Sequence, residues 1–231
     1  MQKAKSMRLE NLLNPACFVA GTLVHTKDGQ KPIEQIQVGD YVLSKPDSGV
    51  GEQAYKRVTK TLVRESQEVW LVQYGSYDAN GEMMFRALVA TGNHPVWRHD
   101  YKKWTPVSEL GRGESLQSCN NDAVYHYRTL KILETDTPDI GFTFANNGGE
   151  GPTVDLRNAK VYVNQPHEDG CVEYGDWIKR QVFNLEVEDF HTYYVGEDGI
   201  WVHNACPQIW SDYRQVPKLN CLLQQPQSRE K

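Results

Sequence analysis

Short runs in which apolar and polar residues alternate dominate the chain and predict β-strands. Three clear runs are residues 58–63, 69–74 and 83–90, and Asp-Ala-Asn-Gly at 78–81 predicts a tight turn before the third. The run 17–24 predicts a strand that Gly21 interrupts. An Asp-Gly pair at 28–29 then predicts a hairpin, with 32–36 as the returning strand. Further strands are predicted at 41–44, 125–133, 160–163, 181–188, 193–195 and 200–203.

Neither a long amphipathic helix nor an internal repeat is evident in this pattern. Closely spaced hairpins without alternating helices predict an all-β fold rather than a parallel sheet. Residues 1–16 favour a short helical turn around Met7, Leu12 and Leu13. Residues 134–158 are rich in Gly, Asn, Asp, Pro and Thr, which predicts a loop-rich insertion.

Composition narrows the classes of function. The chain has 231 residues, enough for one sizeable core, and a net charge of −5 that argues against a nucleic-acid partner. It has no apolar run long enough to span a bilayer, and residues 1–16 lack the apolar core of a signal peptide. Neither flank resembles a whole domain, so we expect a monomeric module of a longer protein.

The dipeptide His203-Asn204, at the end of an apolar run, is the first candidate for chemistry. An Asn side chain can attack its own backbone carbonyl, which forms a succinimide and cuts the chain after Asn. The preceding His can polarise the carbonyl or protonate the departing amine. Most His-Asn dipeptides are ordinary turn residues, so this pair indicates self-cleavage only if other residues of the chain support it.

Cys17 opens the first predicted strand. As an isolated cysteine it could be a small buried core residue. Alternatively, its thiolate could attack the carbonyl of Ala16 and turn that amide into a thioester. The chain's five cysteines are scattered and form no C-x-x-C pair, which argues against a zinc ribbon.

Two loops add further candidates. Thr91 and His94 follow a strand and could contact a strained peptide bond, with His94 protonating the departing nitrogen. His94 and His99 also have the spacing of half a zinc site, but no cysteine pair completes it. His191, in a predicted turn, could be solvated or could hydrogen-bond near Asn204.

Four blocks in this order resemble the Hint family, shared by hedgehog autoprocessing domains and inteins. They are Cys-Phe-Val-Ala-Gly-Thr-Leu-Val with Pro-Ile-Glu and Val-Gly-Asp-Tyr-Val-Leu, then Thr-x-x-His, then Phe-Asn-Leu-Glu-Val-Glu with His-Thr-Tyr, and finally Val-His-Asn. The sequences of these blocks are most similar to those of pretoxin Hint domains of bacterial polymorphic toxins. The hedgehog, sterol-transferring branch lacks the final His-Asn and fits less well.

The resemblance implies an all-β horseshoe of hairpins with a pseudo-two-fold arrangement, in which the two chain ends meet at one active site. It implies a single-turnover, self-cleaving domain at 17–204, with flanks 1–16 and 205–231. The host chain would be cut before Cys17 and after Asn204, with Thr91, His94, His191 and His203 assisting. The substrate is the flanking polypeptide of the chain itself, so no cofactor, metal, nucleic acid or membrane is expected to take part. The whole protein would be an exported, toxin-like one.

Two departures from the family pattern bear on the outcome. Splicing inteins follow the final Asn with Cys, Ser or Thr, whereas this chain has Ala205, so cleavage is expected rather than splicing. Inefficient splicing through Cys206 stays an alternative, as does an inert β spacer in a delivery protein. Many family members have Asp or Cys where this chain has Asn184, and the sequence leaves the role of Asn184 open.

Overall fold

A computed structural model describes residues 16–144, 150–157, 160–162 and 175–204. Apart from two short 3₁₀ turns, all regular structure in these residues is β, so the all-β prediction is confirmed. The strands are β1 Phe18–Val19, β2 Leu23–Thr26, β3 Gly29–Pro32, β4 Tyr41–Ser44, β5 Ala54–Glu68, β6 Trp70–Tyr77, β7 Met83–Ala90, β8 Pro95–Arg98, β9 Lys103–Pro106, β10 Ser115–Gln117, β11 Ala123–Glu134, β12 Ile140–Phe144, β13 Glu150–Asp155, β14 Lys160–Tyr162, β15 Lys179–Val187, β16 Thr192–Val195 and β17 Ile200–His203.

Antiparallel pairing of distant strands brings the two ends of the described chain together. Strand β1 lies between β7 and β15, with Phe18 opposite both Ala90 and Phe183. Strand β17 forms a hairpin with β16 and also pairs with β8, where Val202 faces Val96. Because β7 and β8 flank one loop, that loop lies beside both β1 and the end of β17.

The same order of elements occurs twice, which the sequence pattern did not reveal. Strands β2 and β3 lead through the 3₁₀ turn Ile33–Gln35 to β4 and β5, and β8 and β9 lead through the turn Val107–Glu109 to β10 and β11. Pro32 and Pro106 begin the two turns with nearly equal backbone angles, φ −56°, ψ 138° and φ −58°, ψ 141°. The halves also match in sequence at a constant offset: Pro32, Gly39 and Ser44 correspond to Pro106, Gly113 and Ser118.

The core consists of buried aliphatic and aromatic residues contributed by both halves. Its largest cluster includes Phe18, Val72, Val96, Leu185 and Val202. A separate cluster of Trp97, Tyr194 and Trp201 packs behind the end of β17. We call the Ala16–Cys17 peptide bond and the end of the described chain at Asn204 the two junctions. The strands next to them, β1 and β17, are buried, so packing as well as hydrogen bonds fixes their positions.

Several sequence predictions need correction. Residues 33–35 form a 3₁₀ turn, not a returning strand. The segment 134–158, predicted to be loop-rich, contains β12 and β13, because Thr143 donates its hydroxyl to the Pro152 carbonyl and the backbones pair. The predicted helical turn in 1–16 and the flank 205–231 lie outside the described residues, apart from Ala16. No helix in the described part of the chain is long and apolar enough to cross a membrane.

Candidate active site

Thr91 holds the backbone of Cys17 from both sides. The Thr91 N–H donates to the Cys17 carbonyl at 2.9 Å, and the Cys17 N–H donates to the Thr91 hydroxyl oxygen at 3.0 Å. The hydroxyl therefore contacts the nitrogen of the Ala16–Cys17 peptide bond. The loop fits here because Gly92 follows Thr91: a Cβ at that residue would lie 2.8 Å from the indole of Trp70.

His94 lies in the same loop with its ring fully buried. The His94 N–H donates to the Thr91 carbonyl at 3.0 Å, and the ring packs on Phe18 with a centroid separation of 4.0 Å. Neither ring nitrogen makes a well-aligned hydrogen bond among the described residues, although the backbone of Cys17 lies near the ring. Burial lowers the pKa of His94 to about 3; nearby His203 adds to this shift, and the Cys17 backbone opposes it. The ring is therefore neutral at neutral pH and can accept a proton.

Cys17 is also fully buried. Burial raises the pKa of its thiol to about 12, and only Arg64 acts in the opposite direction. The side chain of Cys17 is consequently a thiol and not a thiolate. A reaction of this sulfur as a nucleophile would require a neighbouring group to take its proton.

The β16–β17 hairpin positions the other junction. Thr192 pairs with His203, and directly beyond this pair the Asn204 N–H donates to the His191 carbonyl at 3.0 Å. His191 adopts the left-handed conformation, with φ of 54°, at the turn before β16. The side-chain nitrogen of Asn204 has no hydrogen-bond partner within the described residues, so it is available to attack.

His203 and His191 have opposite environments. His203 is buried beside Trp104, and burial lowers its pKa although Asp47, 4.0 Å from Nε2, acts in the opposite direction. The ring of His191 is half exposed and hydrogen-bonds Glu186 at 2.6 Å, which raises its pKa. Its link to Asn204 runs through the backbone carbonyl, and the ring itself is paired with Glu186.

Asn184 connects the two junctions. Its Nδ2 donates to the Ala16 carbonyl oxygen at 2.6 Å and to the Asn204 carbonyl oxygen at 2.8 Å. The sequence by itself left the role of Asn184 open. One signal was available: a polar residue on a largely apolar strand is buried only when it has partners.

The structure thus brings most of the predicted residues to one place. Cys17 and Thr91 are in direct contact. His203 ends β17, whose Val202 pairs with Val96, two residues after His94. Asn204 joins them through Asn184, while His191 lies at the rim. His99, the other half of the zinc spacing, hydrogen-bonds Gln117, and no group of three or more His, Cys, Asp or Glu in the described residues could hold a metal ion.

Comparisons with known proteins agree with this architecture. The bacterial intein-like domain from Clostridium thermocellum is 25% identical, with a TM-score of 0.53, and the alignment covers 81% of this chain and 98% of that domain. The gp41-1 intein is 17% identical (TM-score 0.47; 82% and 98% covered), and a DnaB intein from Synechocystis sp. PCC 6803 is 13% identical (TM-score 0.47; 82% and 99% covered). No curated protein matches the chain.

A family model decides the classification. The model of the pretoxin Hint domain matches residues 23–144, which is more than half of the chain and includes Thr91 and His94. Cys17, Asn184 and Asn204 lie outside the match, but β1, β15 and β17 bring them to the same loop. The fold and the family match together lead to one conclusion: this chain belongs to the pretoxin Hint domain family.

Proposed function

We propose that the chain cuts itself at two peptide bonds, before Cys17 and after Asn204, and thereby releases its flanking segments. One observation carries the proposal: the carbonyl oxygens of Ala16 and Asn204 both accept hydrogen bonds from one nitrogen, although 188 positions separate the two residues in the numbering. A spacer needs no such meeting of its two junctions. The intein-like fold supports autoprocessing as the class of activity.

The first cut begins when the Cys17 sulfur bonds to the Ala16 carbonyl carbon. Neutral His94 takes the thiol proton and returns it to the Cys17 nitrogen as the Ala16–Cys17 bond breaks. Thr91 holds that nitrogen through its hydroxyl. The product is a thioester that joins the Ala16 carbonyl to the Cys17 sulfur, and the Cys17 nitrogen becomes a free amine. Water or a thiol then cleaves the thioester.

The second cut begins when the Asn204 side-chain nitrogen bonds to its own carbonyl carbon. Neutral His203 accepts the proton of the attacking amide, and protonated His191 supplies one to the departing amine of Ala205. The Asn204–Ala205 bond breaks and leaves a succinimide on the upstream fragment. The raised pKa of His191 and the lowered pKa of His203 support this division between acid and base.

Positioning of the reacting atoms can supply the rate acceleration that the two cuts require. A half-life of hours corresponds to a barrier of about 23 kcal/mol. An unassisted peptide bond breaks far more slowly. Holding the attacking and attacked atoms together lowers its barrier by about 7–11 kcal/mol, and one hydrogen-bond donor to the developing oxyanion lowers it by about 3–4 kcal/mol. The released downstream segment is proposed to be a toxin, in keeping with the family name.

The intact mass of the purified chain, followed over time, tests the proposal. We expect fragments ending at Ala16 and at Asn204, the second bearing a succinimide or its hydrolysis product. Cys17→Ala should prevent only the first cut and Asn204→Ala only the second. An unchanged mass over days, with and without dithiothreitol, would favour the inert spacer instead.

A further inference from the structure

We propose that Asn184 is a catalytic residue for both cuts, and that its single amide group stabilises the negative charge that develops on both carbonyl oxygens. This inference rests on the proposed function, because it assigns a role in those two reactions. The Nδ2 atom carries two hydrogens, and the structure shows one acceptor for each: the oxygen of Ala16 and the oxygen of Asn204.

The orientation of the amide is determined by its surroundings. The Leu185 backbone N–H donates to Asn184 Oδ1 at 2.7 Å, and the Tyr193 hydroxyl donates to the same oxygen at 2.7 Å. A backbone N–H can only donate, so the atom that it contacts is an acceptor. Turning the amide over would place an oxygen against two carbonyl oxygens and a nitrogen against a donor. The assignment of Nδ2 therefore follows from chemistry rather than from convention.

The two hydrogen bonds fall on the atoms where charge appears. Attack by the Cys17 sulfur turns the Ala16 carbonyl into a tetrahedral intermediate with a negative oxygen. Attack by the Asn204 side chain does the same at the Asn204 carbonyl. A donor already in place costs no reorganisation, and because Asn184 is only 2% exposed, little water weakens the interaction.

A neutral amide suits this role better than a carboxylate would. An ionised Asp at this position would have no hydrogen to donate and would repel both developing oxyanions. The amide does not titrate, so its donors are present at every pH at which the domain folds. Tyr193 is a positioning residue here, since its hydroxyl contacts Oδ1 and neither carbonyl.

Asn184→Leu in two parent proteins tests the inference one bond at a time. The Asn204→Ala parent performs only the first cut, and the Cys17→Ala parent performs only the second. Leucine has nearly the shape of asparagine but no donor. We expect Asn184→Leu to slow both cuts by about a hundredfold or more, the effect of removing one oxyanion donor. Cleavage is measured by mass spectrometry, with hydroxylamine present for the first bond.

Gln117→Met is the matched control. Gln117 is also a buried amide with several hydrogen bonds, to His99, Ser118 and Asn121, but it contacts neither junction. Gln117→Met should lower the thermal unfolding midpoint about as much as Asn184→Leu does, and it should leave the rates of both cuts unchanged. Tyr193→Phe should slow both cuts together, and by less than Asn184→Leu.

Asn184→Asp keeps the inference testable if the leucine variant does not fold. At pH 8 we expect both cuts to be slow relative to the parents. The ratio of variant to parent rate should rise for at least one bond toward pH 5, because a protonated carboxyl regains one O–H donor. A purely structural role for Asn184 predicts no such titration.

The possible failures are distinguishable. If neither parent cleaves, the proposed function is wrong and the role of Asn184 is lost with it. If the parents cleave and folded Asn184→Leu slows only one bond or neither, the shared role is overturned while autoprocessing stands. Parental rates in Asn184→Asp at pH 8 would also overturn it.

Discussion

At the scale of single residues, burial sets the protonation states of the site. It raises the pKa of Cys17 to about 12 and lowers the pKa of His94 to about 3, and His203 is shifted in the same direction as His94. The thiol of Cys17 and the imidazoles of His94 and His203 are therefore neutral at neutral pH, whereas Glu186 raises the pKa of His191. The chemistry that this favours is proton transfer within neutral pairs, without a preformed thiolate.

Thr91→Val should slow the first cut roughly tenfold, because it removes the hydroxyl that accepts from the Cys17 nitrogen at 3.0 Å. Thr91→Ser keeps the hydroxyl and should cut nearly as fast as the wild type. The rate of thioester opening by hydroxylamine in the Asn204→Ala background measures both. Equal rates for the valine and serine variants would mean that the hydroxyl plays no part.

Glu186→Gln should move the alkaline limb of the second cut to lower pH. The hydrogen bond from His191 to Glu186 is the largest cause of the raised pKa of His191. Without that carboxylate, His191 should lose its proton at a lower pH than in the wild type. The pH profile of release of residues 205–231 from the Cys17→Ala protein measures this.

Asp189→Asn is the control for that profile, because Asp189 is the weakest contributor to the His191 shift and forms an ion pair with Lys56. Its profile should move less. A profile that is identical in the wild type and Glu186→Gln would remove His191 from the mechanism.

At the scale of elements, the β16–β17 hairpin is held by aromatic packing. Trp201 is fully buried, with ring centroids at 4.7 Å from Trp104, 5.0 Å from Trp97 and 6.2 Å from Tyr194. Trp104 of this cluster also contacts His203, with ring centroids 5.1 Å apart. Packing between β8, β9, β16 and β17 therefore helps to fix the position of the end of β17.

Trp201→Ala should lower the free energy of unfolding by about 3–5 kcal/mol, the usual cost of deleting a buried tryptophan side chain. It should also slow the second cut more than the first. Urea unfolding of the Cys17→Ala/Asn204→Ala protein measures the stability, since that chain stays whole. Trp177→Ala removes a tryptophan that is 40% exposed and should cost far less; equal losses would contradict this account of the hairpin.

At the scale of the whole molecule, buried neutral histidines make the fold sensitive to acid. The pKa of His94 is about 3 in the folded chain and near 6.5 when unfolded, so the unfolded chain binds the proton first as pH falls. Stability is therefore lost as pH falls from about 6.5 toward 3. Buried His203 acts in the same direction.

Between pH 6.5 and 5, we expect the free energy of unfolding to fall by up to about 1.4 kcal/mol per pH unit for each such histidine. Urea titrations of the Cys17→Ala/Asn204→Ala protein check this slope. Adding His94→Gln removes one titrating group and should reduce the slope. An unchanged slope would mean that His94 is not buried in its neutral form.

Ala205→Cys should convert part of the cleavage into ligation of the two flanks. Ala205 supplies no nucleophile. One residue further along any extended chain shifts a side chain by about 3.3 Å and turns it to the opposite face, which disfavours Cys206 as the acceptor. Wild type should therefore give separated flanks, and the joined product should be detectable by mass spectrometry in the variant. Ligation in the wild type that Cys206→Ala abolishes would identify Cys206 as the acceptor.

Local pattern was enough to predict most of the strands and to single out several candidate site residues. Strands β7 and β17 were predicted at their observed bounds, because alternation and turn residues act over a few positions. Cys17, Thr91, His94, His203 and Asn204 were singled out because each carries chemistry in a short motif. The 3₁₀ turn at 33–35 and the strands within 134–158 were missed, since long-range pairing overrides local composition.

Only the tertiary structure decided where the candidate residues lie and which groups they contact. The site of Asn184 exists because β15 lies against β1 while β17 ends beside it, a meeting that no local pattern records. The neutral states of Cys17 and His94 likewise follow from desolvation by residues distant in sequence. Sequence specifies which groups are available, whereas burial and strand pairing decide their protonation, their partners and the two bonds that they face.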